Sequence, residues 1–150
     1  MNNINNNRLL PHCPLTPDTV ISTIINRQSE LSSLLDTINT RLDEAPAGTL
    51  RIANRGNRPQ YYHRLDSNDR KGSYIKKKKE LTLIKNLAQK EYDLRVKKEV
   101  ECELQALTDF LKNYSPEQIE QAYDSLNTAR QELIIPAYIA TKDVILQWND

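Results

Sequence analysis

Cationic side chains are concentrated in one short part of the chain, between positions 51 and 79. Ten lysines and arginines fall within these twenty-nine residues, together with three tyrosines. Phosphates are bound by several cations acting together, and tyrosine rings can stack on bases or lie along the sugar backbone. Arginine can also read guanine edges if a strand enters the major groove. The candidate nucleic-acid-binding residues are Arg51, Arg55, Arg58, Tyr62, Arg64, Arg70, Lys71, Lys76, Lys77, Lys78 and Lys79.

The net charge of +1 conceals a strong asymmetry along the 150 residues. Residues 1–50 carry three basic and five acidic side chains (−2), residues 51–100 carry fifteen and six (+9), and residues 101–150 carry three and nine (−6). A solvated charged face is the simplest alternative, but ordinary surfaces mix both signs. The asymmetry therefore favours a polyanion-binding segment between acidic neighbours.

Other chemistry has few candidate residues. His12 and Cys13 are adjacent without two further donors, His63 alternates with tyrosines, and Cys102 is far from Cys13. No nucleophile motif, phosphate loop or zinc spacing is present, and the cysteines match no redox pattern. The sequence predicts reduced thiols and a protein that is not an enzyme, with no catalytic residue, no metal site and no cofactor.

The first long element is an amphipathic helix. Residues 1–16 are rich in Asn and predict a mobile leader, and Thr16-Pro17-Asp18 is a typical helix start with a capping hydroxyl. Pro46 and Gly48 then stop the helix. An apolar stripe three and four residues apart predicts a seam for a later helix of the chain or for a second copy, as a homodimer. The stripe comprises Ile21, Ile24, Gln28, Leu31, Leu35, Ile38 and Leu42.

The basic segment coincides with the region that favours β-strands. We predict strands at 49–53, 60–65 and 73–77, joined by turns, as a three-stranded meander at about 49–77. Successive side chains of a strand alternate between faces, so Tyr61 and Tyr62 lie on opposite sides and at most one of them can contact a ligand. Because so small a sheet has little core, one face must pack on a helix.

A second long helix follows from about 80 to 114, and its second half is expected to pair with the first helix. Its predicted apolar stripe is Leu81, Ile84, Ala88, Tyr92, Val96, Val100, Leu104, Leu107, Leu111 and Tyr114.

A shorter helix should begin at Ser115 with Gln118 in a capping box, break near Asn127 and end at Pro136. A last helix is predicted at 141–148. The predicted fold is α+β, mostly α, with the meander inserted in a long helical hairpin, and residues 17–150 form a single domain.

Six short segments carry a resemblance that covers most of residues 20–148. They are Gly48-Thr49-Leu50-Arg51-Ile52, Gln60-Tyr61-Tyr62-His63-Arg64, Gly72-Ser73-Tyr74-Ile75, Leu87-Ala88-Gln89-Lys90-Glu91-Tyr92-Asp93, Leu126-Asn127-Thr128-Ala129-Arg130 and Leu146-Gln147-Trp148. Together they resemble uncharacterised bacterial proteins in whose longer members such a region precedes a restriction-endonuclease-like domain.

None of these motifs is catalytic, so the resemblance transfers no active-site residue. It implies either an excised or truncated version that ends where the nuclease-like part would begin, or a stand-alone relative with another role, such as one carried by a phage. The hairpin pattern and basic content are also similar to the small three-stranded DNA-holding domains of some phage integrases.

Two classes of function fit these observations best. The first is a non-enzymatic nucleic-acid-binding module for DNA or RNA that uses the basic meander. The alternative is a phage-type anti-defence inhibitor, similar to an anti-CRISPR protein, that binds a bacterial nuclease complex or competes for its nucleic acid. A bare structural or dimerisation domain is a third class. The sequence shows neither an apolar stretch of about 20 residues nor a signal peptide, which predicts no membrane contact and a cytoplasmic location.

Overall fold

The computed structural model describes residues 16–137, which form two compact units. Residues 21–109 make one unit, and the described parts of the other are 16–20 and 110–137. Residues 16–137 are mostly α-helical, with one antiparallel sheet between the two long helices, which confirms the predicted fold class. The elements are α1 (Pro17–Glu44), β1 (Thr49–Arg55), β2 (Arg58–Arg64), β3 (Ser73–Ile75), α2 (Leu81–Asn113), α3 (Glu117–Asp124) and α4 (Thr128–Gln131).

The start of α1 agrees with the predicted capping pattern. The Thr19 amide donates to Thr16 Oγ1 at 3.3 Å, and Pro17 occupies the first helical position, where its missing N–H costs nothing. Apart from Thr16, the predicted leader at 1–16 lies outside the described residues, as does the predicted terminal helix at 141–148.

Within residues 21–109, α1 and α2 pair side by side in opposite directions. Leu31 and Ile38 of α1 are buried, and the rest of the predicted stripe is half-buried, so the seam prediction is confirmed. Gln28, its polar member, donates from Nε2 to Thr108 Oγ1 at 3.4 Å. The α1 seam therefore lies against α2 of the same chain. Between residues 16 and 137, no helix is long and apolar enough to cross a lipid bilayer.

A buried carboxylate joins the two helices near the sheet. Asp93 of α2 is 1% exposed, and Arg41 of α1 donates to both of its oxygens, from Nε to Oδ2 at 3.0 Å and from Nη2 to Oδ1. Gln89 Nε2 adds a third donor at 2.9 Å to Oδ1. Because a buried charge is unfavourable without partners, these donors stabilise the Asp93 carboxylate.

A second ion pair joins the helices further along, at the surface. Arg27 Nε donates to Glu103 Oε1 at 2.7 Å and Arg27 Nη2 to Glu103 Oε2 at 3.0 Å. The hydrogen bond from Arg27 lowers the pKa of Glu103, so the stabilisation by this pair is present above the ordinary carboxyl pKa and is lost as the pH falls through the lowered pKa. Both groups are about half exposed, and such pairs contribute little to stability.

The three strands form a meander in the order β1-β2-β3. A two-residue turn, Gly56–Asn57, joins β1 to β2 and pairs Arg55 with Arg58. Gly56 has φ +65° while Asn57 does not have a positive φ, which is the pattern of a type II′ turn that suits the twist of a hairpin. Compared with the predicted strands, the tight turn makes β1 and β2 extend further toward each other. β3 stops at Ile75 because a new turn starts at Lys76.

One face of the meander is covered by the first part of α2. Ile75, Ile84 and Leu87 form a buried cluster, and Leu50 and Tyr61 pack against it. All three sheet residues lie on the same face by strand alternation and register. This cluster is the core that the small sheet needs.

The predicted stripe of α2 is partly wrong. Ala88 and Tyr92 are exposed, Tyr92 by 60%, whereas Leu87 and Asp93 are buried in this part of the helix. The stripe drifts because α2 packs on the sheet with its first turns and on α1 further along. A single apolar stripe describes a helix that packs on one partner, whereas α2 packs on two.

The other unit contains α3 and α4. Phe110 and Tyr114 stack with their ring centroids 4.9 Å apart. The predicted capping box at the start of α3 is wrong: Pro116 is the N-cap and no side chain caps it, because the Gln118 amide bonds to the Ser115 carbonyl instead. The predicted break is confirmed, since Asn127 caps α4 by accepting from the Arg130 amide.

The hairpin core yields a first prediction. Ile38→Ala should destabilise the protein by about 2–5 kcal/mol, because a fully buried side chain is replaced by a cavity. Ile25→Ala on the same helix is the matched control, and its half-exposed side chain should cost about 1 kcal/mol or less. Urea denaturation measures both. Equal effects of the two substitutions would contradict the seam.

The buried carboxylate yields a second prediction. Arg41→Ala should cost about 2–3 kcal/mol, since it leaves the buried Asp93 charge with the Gln89 amide as its remaining donor. Arg27→Ala, which breaks the exposed pair with Glu103, should change the free energy of unfolding much less. Thermal denaturation of both variants would show this order, and the reverse order would refute it.

Candidate nucleic-acid interface

The face of the sheet that points away from α2 collects the predicted arginines of the strands. Arg51 is the cross-strand partner of Tyr62, Arg55 of Arg58, and Thr49 of Arg64. Cross-strand partners share a face, and so do residues two apart along a strand. We call this surface the outer face. It brings together five predicted site residues, namely Arg51, Arg55, Arg58, Tyr62 and Arg64.

The opposite side of the sheet is anchored by polar contacts as well as by the core. His63 Nε2 contacts the Ala47 carbonyl oxygen at 2.7 Å, which requires the ring to donate through that nitrogen. Lys90 of α2 donates from Nζ to the carbonyls of Pro46 and Gly48, both at 3.0 Å. These bonds hold the segment between α1 and β1 against the sheet and α2, so the outer face has a fixed support.

A row of three side chains crosses the middle of the outer face, one from each strand. The Arg51 guanidinium carbon lies 4.0 Å from the centroid of the Tyr62 ring, a cation–π geometry. On its other side Tyr62 meets Tyr74 edge to face, with centroids 5.7 Å apart and an interplanar angle of 68°. The Tyr62 hydroxyl donates to Gln60 Oε1 at 3.0 Å. Tyr62 is therefore held on several sides by its neighbours.

The loop between β2 and β3, residues 65–72, is tied to the outer face by two arginines. Arg51 Nε donates to the Lys71 carbonyl at 2.8 Å, and Arg64 Nη2 donates to the Arg70 carbonyl at 2.6 Å. The loop that carries Arg70 and Lys71 is thereby placed beside the arginines of the strands. Arg51 and Arg64 thus have a structural role besides their charge.

The two carboxylates of the basic segment are engaged within the same loop. Asp66 Oδ1 accepts from the amides of Asn68 and Asp69, both at 2.9 Å, and Asp69 Oδ1 accepts from the Gly72 amide at 2.8 Å. Gly72 has φ +76°, and a side chain there would clash with the His63 carbonyl, 2.9 Å from the position of its Cβ. The aspartates therefore shape the turn and pair with no cation of the meander among residues 16–137.

Eight cations of the segment are exposed, and within residues 16–137 none of them forms an ion pair. Two lie at the tip of the β1–β2 hairpin and two in the loop, and four form the turn between β3 and α2. In that turn the amides of Lys79 and Glu80 donate to the Lys76 carbonyl at 3.0 Å. The eight are Arg55, Arg58, Arg70, Lys71, Lys76, Lys77, Lys78 and Lys79.

Tyr74 is an aromatic residue of the outer face that was not among the predicted site residues. It is 57% exposed and lies on β3 beside the turn that carries the lysines. The signal was present in the sequence: Ile75 is the apolar residue of this short strand, so its neighbour Tyr74 points the other way. Tyr61 packs on the core, as expected for one of two adjacent tyrosines.

The described residues contain no candidate metal centre. No group of three His, Cys, Asp or Glu side chains converges anywhere in residues 16–137. Cys102 is a free, exposed thiol on α2, and the predicted pair His12 and Cys13 lies outside the described residues. Compared with known proteins, the chain matches no protein family, no curated protein and no solved structure.

Proposed function

We propose that the outer face of the meander binds the phosphate backbone of a nucleic acid without catalysing a reaction. The observation that carries this proposal is the grouping of arginines on the outer face, next to exposed cations that no carboxylate neutralises within residues 16–137. Like charges on one surface repel each other and lower the stability of the folded protein. A bound polyanion would offset this repulsion.

The geometry supports phosphate binding in a second way. Arg55 and Arg58 extend from a tight turn, and the backbone of the loop that carries Arg70 and Lys71 is held by Arg51 and Arg64. Charges on a supported sheet lose less freedom on binding than charges on an unstructured tail. Each phosphate that they neutralise releases a counterion, which makes such binding fall steeply with salt.

The cations and tyrosines of the outer face can position a nucleic acid, so the proposed activity is binding. We further propose that the protein acts in the cytoplasm, where it would meet DNA or RNA. If the same cations instead met an acidic protein surface, the protein would act as the inhibitor considered from the sequence.

Neutralising the exposed cations should weaken nucleic-acid binding with little effect on folding. Changing Lys76, Lys77, Lys78 and Lys79 together to Gln should raise the dissociation constant roughly tenfold or more at low salt and lower the salt slope by about one unit per lost phosphate contact. Arg55→Gln with Arg58→Gln tests the hairpin tip separately. Fluorescence anisotropy of labelled DNA and RNA at two salt concentrations measures both effects.

The matched control for the hairpin tip is Lys98→Gln with Lys112→Gln, which removes the same charge from exposed positions of α2. It should leave affinity nearly unchanged. Parent protein that binds neither polymer at low salt would overturn the proposed function and favour an acidic protein partner. A control that loses as much affinity as the hairpin variant would show that net charge, and not this face, is responsible.

A further inference from the structure

The two tyrosines of the outer face differ in how much of each ring a ligand can reach. Tyr62 is half-buried, with the Arg51 guanidinium over its ring and the Tyr74 ring edge to face with it from β3. A nucleobase cannot stack on a ring face that a guanidinium already covers. Tyr62 is therefore the less accessible of the two rings.

The Tyr74 ring is more accessible than the Tyr62 ring. It lies on β3, an edge strand of the sheet, and is 57% exposed. An edge-to-face contact such as that with Tyr62 covers at most one face of a ring, so this exposed side chain has ring surface left for a ligand. Its backbone is held by the neighbouring Ile75, which is 2% exposed and packed in the core.

Lysines precede and follow the strand that carries this ring. Lys76 follows Tyr74 by two residues, which is at most about 7 Å of extended chain. The Lys71 carbonyl is bonded to Arg51, whose guanidinium lies in the same row as the tyrosines. A nucleic acid with a base on Tyr74 could therefore meet the lysine of the loop before β3 or the lysines of the turn after it.

From this geometry we infer that the ligand of the outer face is a single-stranded nucleic acid, with one unpaired base stacked on Tyr74. The inference rests on the proposed function and narrows its ligand. Bases of a duplex are covered on both faces by their neighbours, so a protein ring reaches a base face only at an unstacked step. An exposed tyrosine flanked by cations suits a strand whose bases are already free.

The test compares Tyr74→Leu and Tyr74→Phe with the parent. Short single-stranded DNA and RNA oligonucleotides and a duplex of the same sequence are titrated by fluorescence anisotropy. Tyr74→Leu should weaken single-strand binding about tenfold and leave duplex binding unchanged, whereas Tyr74→Phe, which keeps the ring, should bind like the parent. Tyr92→Leu on α2, equally exposed, is the matched control and should change neither affinity.

The outcomes separate this inference from the proposed function. If the lysine variants lose affinity while Tyr74→Leu binds single strands as the parent does, the surface binds by charge alone and the inference is wrong. A parent that prefers the duplex would also overturn it. If the parent binds neither the single strands nor the duplex at low salt, the proposed function itself is wrong. Urea denaturation of Tyr74→Leu should give a midpoint close to that of the parent, which would show that the substitution leaves the fold intact.

Discussion

The meander can exist only with one of its faces against α2. Its three strands are too few to form a core of their own, and burial of Ile75 against Ile84 and Leu87 supplies that core. Since strand side chains alternate, placing Ile75 and Tyr61 inward turns Tyr62 and Tyr74 outward. The position of every arginine on the strands follows from the same constraint.

The helical hairpin in turn fixes α2 as a support. Leu31 and Ile38 are buried in the seam between the two helices. The Arg41 contact to Asp93 joins α1 to α2 close to the segment that leads into β1. Lys90 contacts that segment from the same stretch of α2. Stability and presentation of the outer face thus come from different residues, so the exposed cations can change without loss of the fold.

Much of the fold could be predicted from local patterns. The α1 stripe was correct residue by residue because a helix with one partner shows one period, and the alternation in β2 placed Tyr61 and Tyr62 on opposite faces as expected. The errors arose where distant contacts decide. Asp93 is buried because Arg41 reaches it from α1, and no periodic pattern predicts an inward carboxylate. For the candidate site, its cations were evident from composition, but the covered ring of Tyr62 and the open ring of Tyr74 depend on pairing across three strands.

The central claim is that the outer face is the binding surface and that the inner face is committed to α2. Backbone amide chemical shifts, followed by NMR as a single-stranded oligonucleotide is added, test it most directly. The account predicts the largest changes at residues 55–58 and 70–79, with residues 21–44 of α1 unaffected. Changes concentrated along α1, or spread evenly over the chain, would contradict it.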